Sequence, residues 1–124
     1  MKWWTWIEGR RKSQYEKMLL AQSSRLRFDC YLLRFAKGAY IDPHTDPAKP
    51  GFRHFRLNIY LRSARKGGQF SVSETLLSNR FFCLFRPDLY EHAVSAIDDG
   101  TRYVLSLGLL LRDRGKNNTV DATQ

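Results

Sequence analysis

The sequence predicts a mainly β domain, a sandwich or barrel with a single helix packed on its outside. Three observations carry this. Residues 9–24 place Tyr15, Met18, Leu19 and Gln22 at three- and four-residue steps, the spacing of a helix face. From residue 28 onward the chain breaks into short runs rich in aromatic and aliphatic residues. Gly, Pro, Asp and Asn separate those runs and mark turns.

The elements follow in order. The opening MKWWTWIEGRR is too short an apolar run to span a membrane. Charges follow at once where a secretory signal would carry small residues, so a cytoplasmic protein is expected, with Trp3, Trp4 and Trp6 packed on the domain. Lys and Gln fill the other face of the expected helix. FDCYLLRF, FRLNIYL, QFSV, RFFCLF and RYVLSLGLLL read as strands. AKGA, DPAKPG, ARKGG, LLSNR, RPD and DDG are the breaks between them. RYVLSLGLLL is apolar enough to be a central strand buried on both sides. Residues 1–115 form one domain on this reading, and 116–124 form a polar tail that frays.

Composition limits the classes. A chain of 124 residues with 43% hydrophobic and 27% charged content builds one core and is not a disordered segment. Cys30 and Cys83 lie in apolar runs at no special spacing, which points to buried free thiols and not to a disulfide framework or zinc knuckle. The net charge of +9 favours acidic partners, nucleic acid among them. The basic groups are small and carry no interleaved aromatics, so a solvated basic surface is the plainer reading.

The chemistry-bearing residues start with the stretch YIDPHTDP. His44 and Asp46 are two apart, so on a strand their side chains share a face. Alone, the pair reads best as a turn cap beside Pro43. The other histidines are His54, read as a surface or core-edge residue, and His92, which follows a Pro-Asp turn. Two histidines and a carboxylate with open positions form the facial triad of non-haem Fe(II) oxygenases. A 2-oxoacid co-substrate also needs a cation for its far carboxylate. Arg102 lies ten residues after His92 across the turn AIDDG, and a guanidinium fork suits a carboxylate. Val104 and Ser106 share its face and are small.

GAYIDPHTD, NIYL, KGGQF and HAVSAIDDGTRYVLSLGL, in this order, resemble 2-oxoglutarate- and Fe(II)-dependent dioxygenases of the prolyl-4-hydroxylase-like branch, from about Phe28 to Leu111. The resemblance implies a double-stranded β-helix (jelly roll, cupin-like) with the helix outside. It implies that His44, Asp46 and His92 bind iron, that Arg102 binds the distal carboxylate of 2-oxoglutarate, and that the Tyr60 hydroxyl joins Arg102 there. Asn58 shares the face of Tyr60, Gly67-Gly68 matches a turn before the next strand, and Tyr40 borders substrate or co-substrate. The implied reaction oxidises a C–H bond of a prolyl or other protein side chain, with 2-oxoglutarate decarboxylated to succinate, O2 consumed and ascorbate as an accessory reductant. Alternatives are an oxygenase of nucleic acid or a small molecule, a zinc enzyme using the same ligands, and a non-catalytic jelly-roll binding module. Few residues precede the first core strand and loops such as Arg62 to Gly68 are short, which leaves the substrate undefined.

Overall fold

The structure is a computed structural model that describes residues 3–9 and 14–113. Twelve strands follow one another: β1 (Trp6–Glu8), β2 (Tyr15–Ser23), β3 (Phe28–Phe35), β4 (Ile41–His44), β5 (Phe52–Arg62), β6 (Lys66–Gly67), β7 (Phe70–Val72), β8 (Leu77–Ser78), β9 (Phe82–Phe85), β10 (His92–Val94), β11 (Ile97–Asp99) and β12 (Arg102–Arg112). The large sheet has the order β1-β2-β3-β12-β5-β9-β8. A three-stranded sheet, β4-β10-β7, and the pair β11-β6 complete the structure. Every pairing between these strands is antiparallel, and one isolated bridge, Trp3 to Leu19, is parallel. The arrangement is a jelly roll. The polar tail 116–124 and the start of the expected helix at 10–13 lie outside the described residues.

Over the described part of residues 9–24 the expected helix is absent, and no helix occurs among the described residues. Tyr15–Ser23 is a strand instead, paired with β1 on one side and β3 on the other. The sequence pattern allows both. A step of four places two residues on one face of a strand as well as on one face of a helix. Tyr15 and Leu19 are the buried pair, and a bulge between Leu19 and Ala21 inserts Leu20 as an extra residue that breaks strict alternation. Tertiary pairing therefore overrides a weak local preference.

β12 is central, between β3 and β5. It is buried on one face and not on both. Arg102, Val104, Ser106 and Gly108 are buried, while Tyr103, Leu105 and Leu107 remain partly open and Leu109 and Leu111 are exposed. Antiparallel sheets tolerate such a half-open face. The polarity is inverted, with arginine and serine inside and leucines outside, and that inversion is what furnishes the interior with chemistry.

Register sets the interior in four transverse rows. Tyr15, Phe35 and Arg102 form the first; Lys17, Leu33, Val104 and Tyr60 the second; Tyr31, Ser106 and Asn58 the third; Asp29, Gly108 and Arg56 the fourth. Below the first row the core closes with Phe35, Ala39, Val94 and Ile97, and the Tyr15 and Phe35 rings stack at 5.0 Å. Gly67 adopts φ +78°, and a Cβ there would overlap the Ala96 carbonyl, so this turn needs glycine. Cys30 and Cys83 are buried free thiols. No helix among the described residues is long and apolar enough to cross a membrane.

Candidate metal centre

β4 and β10 bring the ligands together. His44 and His92 are register partners across the two strands, and their rings lie 4.4 Å apart. β4 ends at His44, so Asp46 stands just beyond the strand. Its amide donates to the Pro87 carbonyl at 2.8 Å, which holds the carboxylate back toward the histidines. Asp46 offers one oxygen to each: His44 Nε2 is 3.4 Å from Oδ1 and His92 Nε2 is 3.4 Å from Oδ2. One ligand atom from each residue falls within 4.8 Å of the others.

The tautomers follow from geometry. His44 Nδ1 lies 2.8 Å from the Asp42 carbonyl, and His92 Nδ1 lies 3.1 Å from the Tyr90 carbonyl. A carbonyl only accepts, so each Nδ1 carries a proton, and Nε2 is the ring nitrogen left facing Asp46 and available to a metal ion. This is the outer-shell arrangement that orients metal-bound imidazoles. Ligand bonds of about 2.1 Å put neighbouring donors about 3 Å apart on an octahedron. Each histidine is 3.4 Å from a different Asp46 oxygen, and with one ligand atom per residue the set spans no more than 4.8 Å, compact enough to close on a divalent ion with open positions. Phe85 and Phe70 pack on the His92 ring at 5.3 and 6.4 Å.

Behind the triad lies a cavity of about 180 Å³. Its walls come from the inner rows of the large sheet and from Ile41, Phe70 and Val94 opposite. A water molecule occupies about 30 Å³, so the space suits a small acid and not a drug-sized molecule.

Arg102 projects into this space. It is 5% exposed, and no hydrogen-bond acceptor or carboxylate contacts its guanidinium among the described residues. Its neighbours are the faces of Phe35 at 4.9 Å and Tyr60 at 5.7 Å. Burial lowers its pKa to about 10, with the Tyr60 phenol pulling the other way, so it stays charged at neutral pH. A buried cation without a partner is costly, and an incoming carboxylate relieves it.

The remaining expected residues fall as follows. Asn58 and Ser106 are buried in the cavity wall and bonded to each other. Tyr60 flanks Arg102 but does not line the cavity; it shares a hydrogen bond with Cys83, and burial raises its pKa. Tyr40 lines a separate groove on the far side of β4 and β10 with Asp42, Ser71 and Ser95. His54 is half-buried on β5 beside Arg56. Lys17, Tyr31 and Arg56 line the cavity and are not singled out by the sequence reading. Their signal was strand parity: Arg56 is one step from Asn58 in FRLNIYL, and Tyr31 one step from Leu33 in FDCYLLRF.

No family model matches the chain, and no curated protein does. Solved structures do. A prolyl-4-hydroxylase from Pseudomonas putida is similar at 14% identity, over 87% of this chain and 78% of that one, with a TM-score of 0.64. A predicted oxalate decarboxylase from Thermotoga maritima is similar at 15% identity, over 86% and 91%, with a TM-score of 0.62. KdgF from Halomonas sp. is similar at 16% identity, over 88% of each chain, with a TM-score of 0.57. The class defined by fold and site is a cupin-type jelly roll with a His-Asp-His cluster suited to a metal ion.

Proposed function

We propose that the protein is an Fe(II)- and 2-oxoglutarate-dependent dioxygenase that hydroxylates a C–H bond, with a prolyl or other side chain of a protein or peptide as substrate. One observation carries the reading: the unmatched Arg102 guanidinium shares a cavity with His44, Asp46 and His92. A metal-binding jelly roll without a co-substrate acid has no use for a buried cation there.

Iron with bound 2-oxoglutarate and O2 supplies the oxidising power, and decarboxylation of the 2-oxoacid to succinate is coupled to oxidation of the C–H bond. The chain's residues do the rest. The Asp42 and Tyr90 carbonyls hold the imidazoles with Nε2 inward. Asp46 adds the negative charge that favours a divalent ion. Arg102 takes the distal carboxylate, and the 180 Å³ volume limits the acid's length. Leu33, Ile41, Phe70 and Val94 keep the cavity wall apolar. A protein side chain would approach the His44, Asp46 and His92 cluster from the open side of the cavity, with the acid held inside by Arg102.

The test is succinate production from 2-oxoglutarate with Fe(II) and O2, first without and then with a peptide library. Turnover lost in His44→Ala and Asp46→Ala supports the reading. Purified protein that binds neither Fe(II) nor 2-oxoglutarate sinks it.

A further inference from the structure

The fourth and third rows of the interior build a polar wall that the proposed reaction has not used. Gly108 on β12 stands in register between Asp29 on β3 and Arg56 on β5. A Cβ at this position would overlap the Arg56 guanidinium and lie 2.9 Å from Asp29 Oδ1. Glycine opens the gap through which the two charged side chains meet above the strand. Arg56 Nη2 donates to Asp29 Oδ1 at 2.9 Å and to Oδ2 at 3.2 Å. Arg56 Nη1 donates to Ser106 Oγ at 2.8 Å, and Ser106 Oγ donates to Asn58 Oδ1 at 2.7 Å.

This chain has a direction. A guanidinium only donates, so Ser106 accepts from Arg56, and its hydroxyl in turn donates to Asn58 Oδ1. The Asn58 amide is thereby oriented: its oxygen faces Ser106 and its NH2 group faces away. Asn58 is 7% exposed and lines the cavity, and its Nδ2 has no acceptor among the described residues. The Nδ2 atom is not one of the sealed, unpartnered polar atoms among the described residues; it stands open to the cavity, where a ligand oxygen can take its hydrogen bond. Asp29 offsets the charge of Arg56, so the wall contributes directed donors and little net charge.

We propose that Asn58 is a second ligand-binding residue of this cavity, donating from Nδ2 to an acceptor oxygen of the small acid whose carboxylate Arg102 holds. Asp29, Arg56 and Ser106 are its positioning residues. The ligand class is a short-chain acid with a second oxygen function: a keto group, a hydroxyl or another carboxylate. The inference rests on the proposed reading in placing an acid here, and it does not require that acid to be 2-oxoglutarate.

Asn58→Asp is the decisive variant. It keeps the shape, and a carboxylate still accepts the Ser106 proton, so the internal chain stays satisfied. The donor is lost and a negative charge faces the acid. Mn(II)-loaded protein is titrated calorimetrically with 2-oxoglutarate, oxalate, malonate and succinate. The expected result is acid binding at least about tenfold weaker in Asn58→Asp, in a protein that still folds and still binds Mn(II). Ser106→Ala frees the amide to flip and weakens binding about three- to tenfold, and Ser106→Thr restores it. This second pair decides the matter should Asn58→Asp fail to fold. Wild-type affinity for 2-oxoglutarate in Asn58→Asp, or in Ser106→Ala if only that variant folds, overturns the inference and leaves the oxygenase reading standing. A wild-type protein that ignores 2-oxoglutarate but binds another of these acids with the same Asn58 dependence supports the inference and removes the co-substrate assignment. Binding of none of them overturns both.

Discussion

His44 and His92 face each other across β4 and β10, and each gives its Nδ1 proton to the carbonyl two residues before it. Two different strands thus present the same imidazole edge to one point. The arrangement makes the metal site a property of backbone register, because the orienting acceptors are main-chain atoms. Loss of an outer-shell partner alone typically costs 10–100-fold in metal affinity, so loss of a ligand costs about 100-fold or more. His92→Ala and Asp46→Ala are each expected to show that loss in a competition titration with Mn(II). Metal affinity within about threefold of wild type in both variants would remove the cluster as a metal site.

Arg102→Met separates stability from binding. Arginine is buried here without a carboxylate, which penalises the folded state in the absence of ligand. Methionine fills a similar volume and carries no charge. The variant is expected to unfold at a higher urea concentration than wild type, by about 1 kcal/mol or more. The same variant is expected to lose 2-oxoglutarate binding by about two orders of magnitude, as removal of a charge-assisted bidentate contact does. The two shifts run in opposite directions. A variant that is both less stable and unchanged in acid binding would show that Arg102 is a structural residue.

Parity points to Asn58 beside Tyr60 and to Ser106 beside Arg102, whereas His44, Asp46, His92 and Arg102 are joined by the spacing of a His-x-Asp, a distal histidine and an arginine ten residues on, and by the resemblance those motifs carry. Over Tyr15–Ser23 the helix period misleads because Tyr15 and Leu19 are four apart, a spacing both periods allow, and only pairing with β1 and β3 decides between them. Arg56 and Asp29 were hidden for another reason. They belong together only through Gly108, which lies far from both in sequence, and no local pattern announces a three-strand register. The leucines of β12 misled in the same way: an apolar run shows that a strand is central, but not how many of its faces are covered.

Asp88 supports the His44, Asp46 and His92 cluster from behind. It is clasped to Arg86, with Nη2 to Oδ2 at 2.6 Å and Nε to Oδ1 at 3.2 Å, and it receives the His54 amide at 3.3 Å. Burial alone would raise its carboxyl; the Arg86 and backbone bonds outweigh that and hold it below the usual range. The turn it fastens carries the Pro87 carbonyl that anchors Asp46 and the Tyr90 carbonyl that orients His92. Asp88→Asn keeps the shape and weakens the clasp. Metal affinity is expected to fall about tenfold, in the range of outer-shell losses, and calorimetry with Mn(II) reads it. Unchanged affinity would mean that the turn holds its form without the clasp.

His54 gives the fold a pH dependence of its own. Burial is the main cause lowering its pKa, and the Arg56 charge adds to it; Asp29, Asp46 and Asp88 pull weakly upward. Arg56 Nη2 approaches its Nε2 at 3.4 Å, so the neutral ring is the form that fits. The unfolded chain therefore takes up the proton first as pH falls through about 6.5. Stability is full above that value, declines below it, and stops declining once the folded state also protonates. The slope from one such group does not exceed about 1.4 kcal/mol per pH unit. His54→Gln removes the titration, so urea midpoints of metal-free wild type and variant should diverge as pH drops from about 7.5 to about 5.5, with wild type losing more. The difference between the two proteins isolates position 54, because every other group is common to both. A difference that stays constant over this range would show that His54 is protonated equally in folded and unfolded chains, and the buried, neutral imidazole beside Arg56 would have to be abandoned.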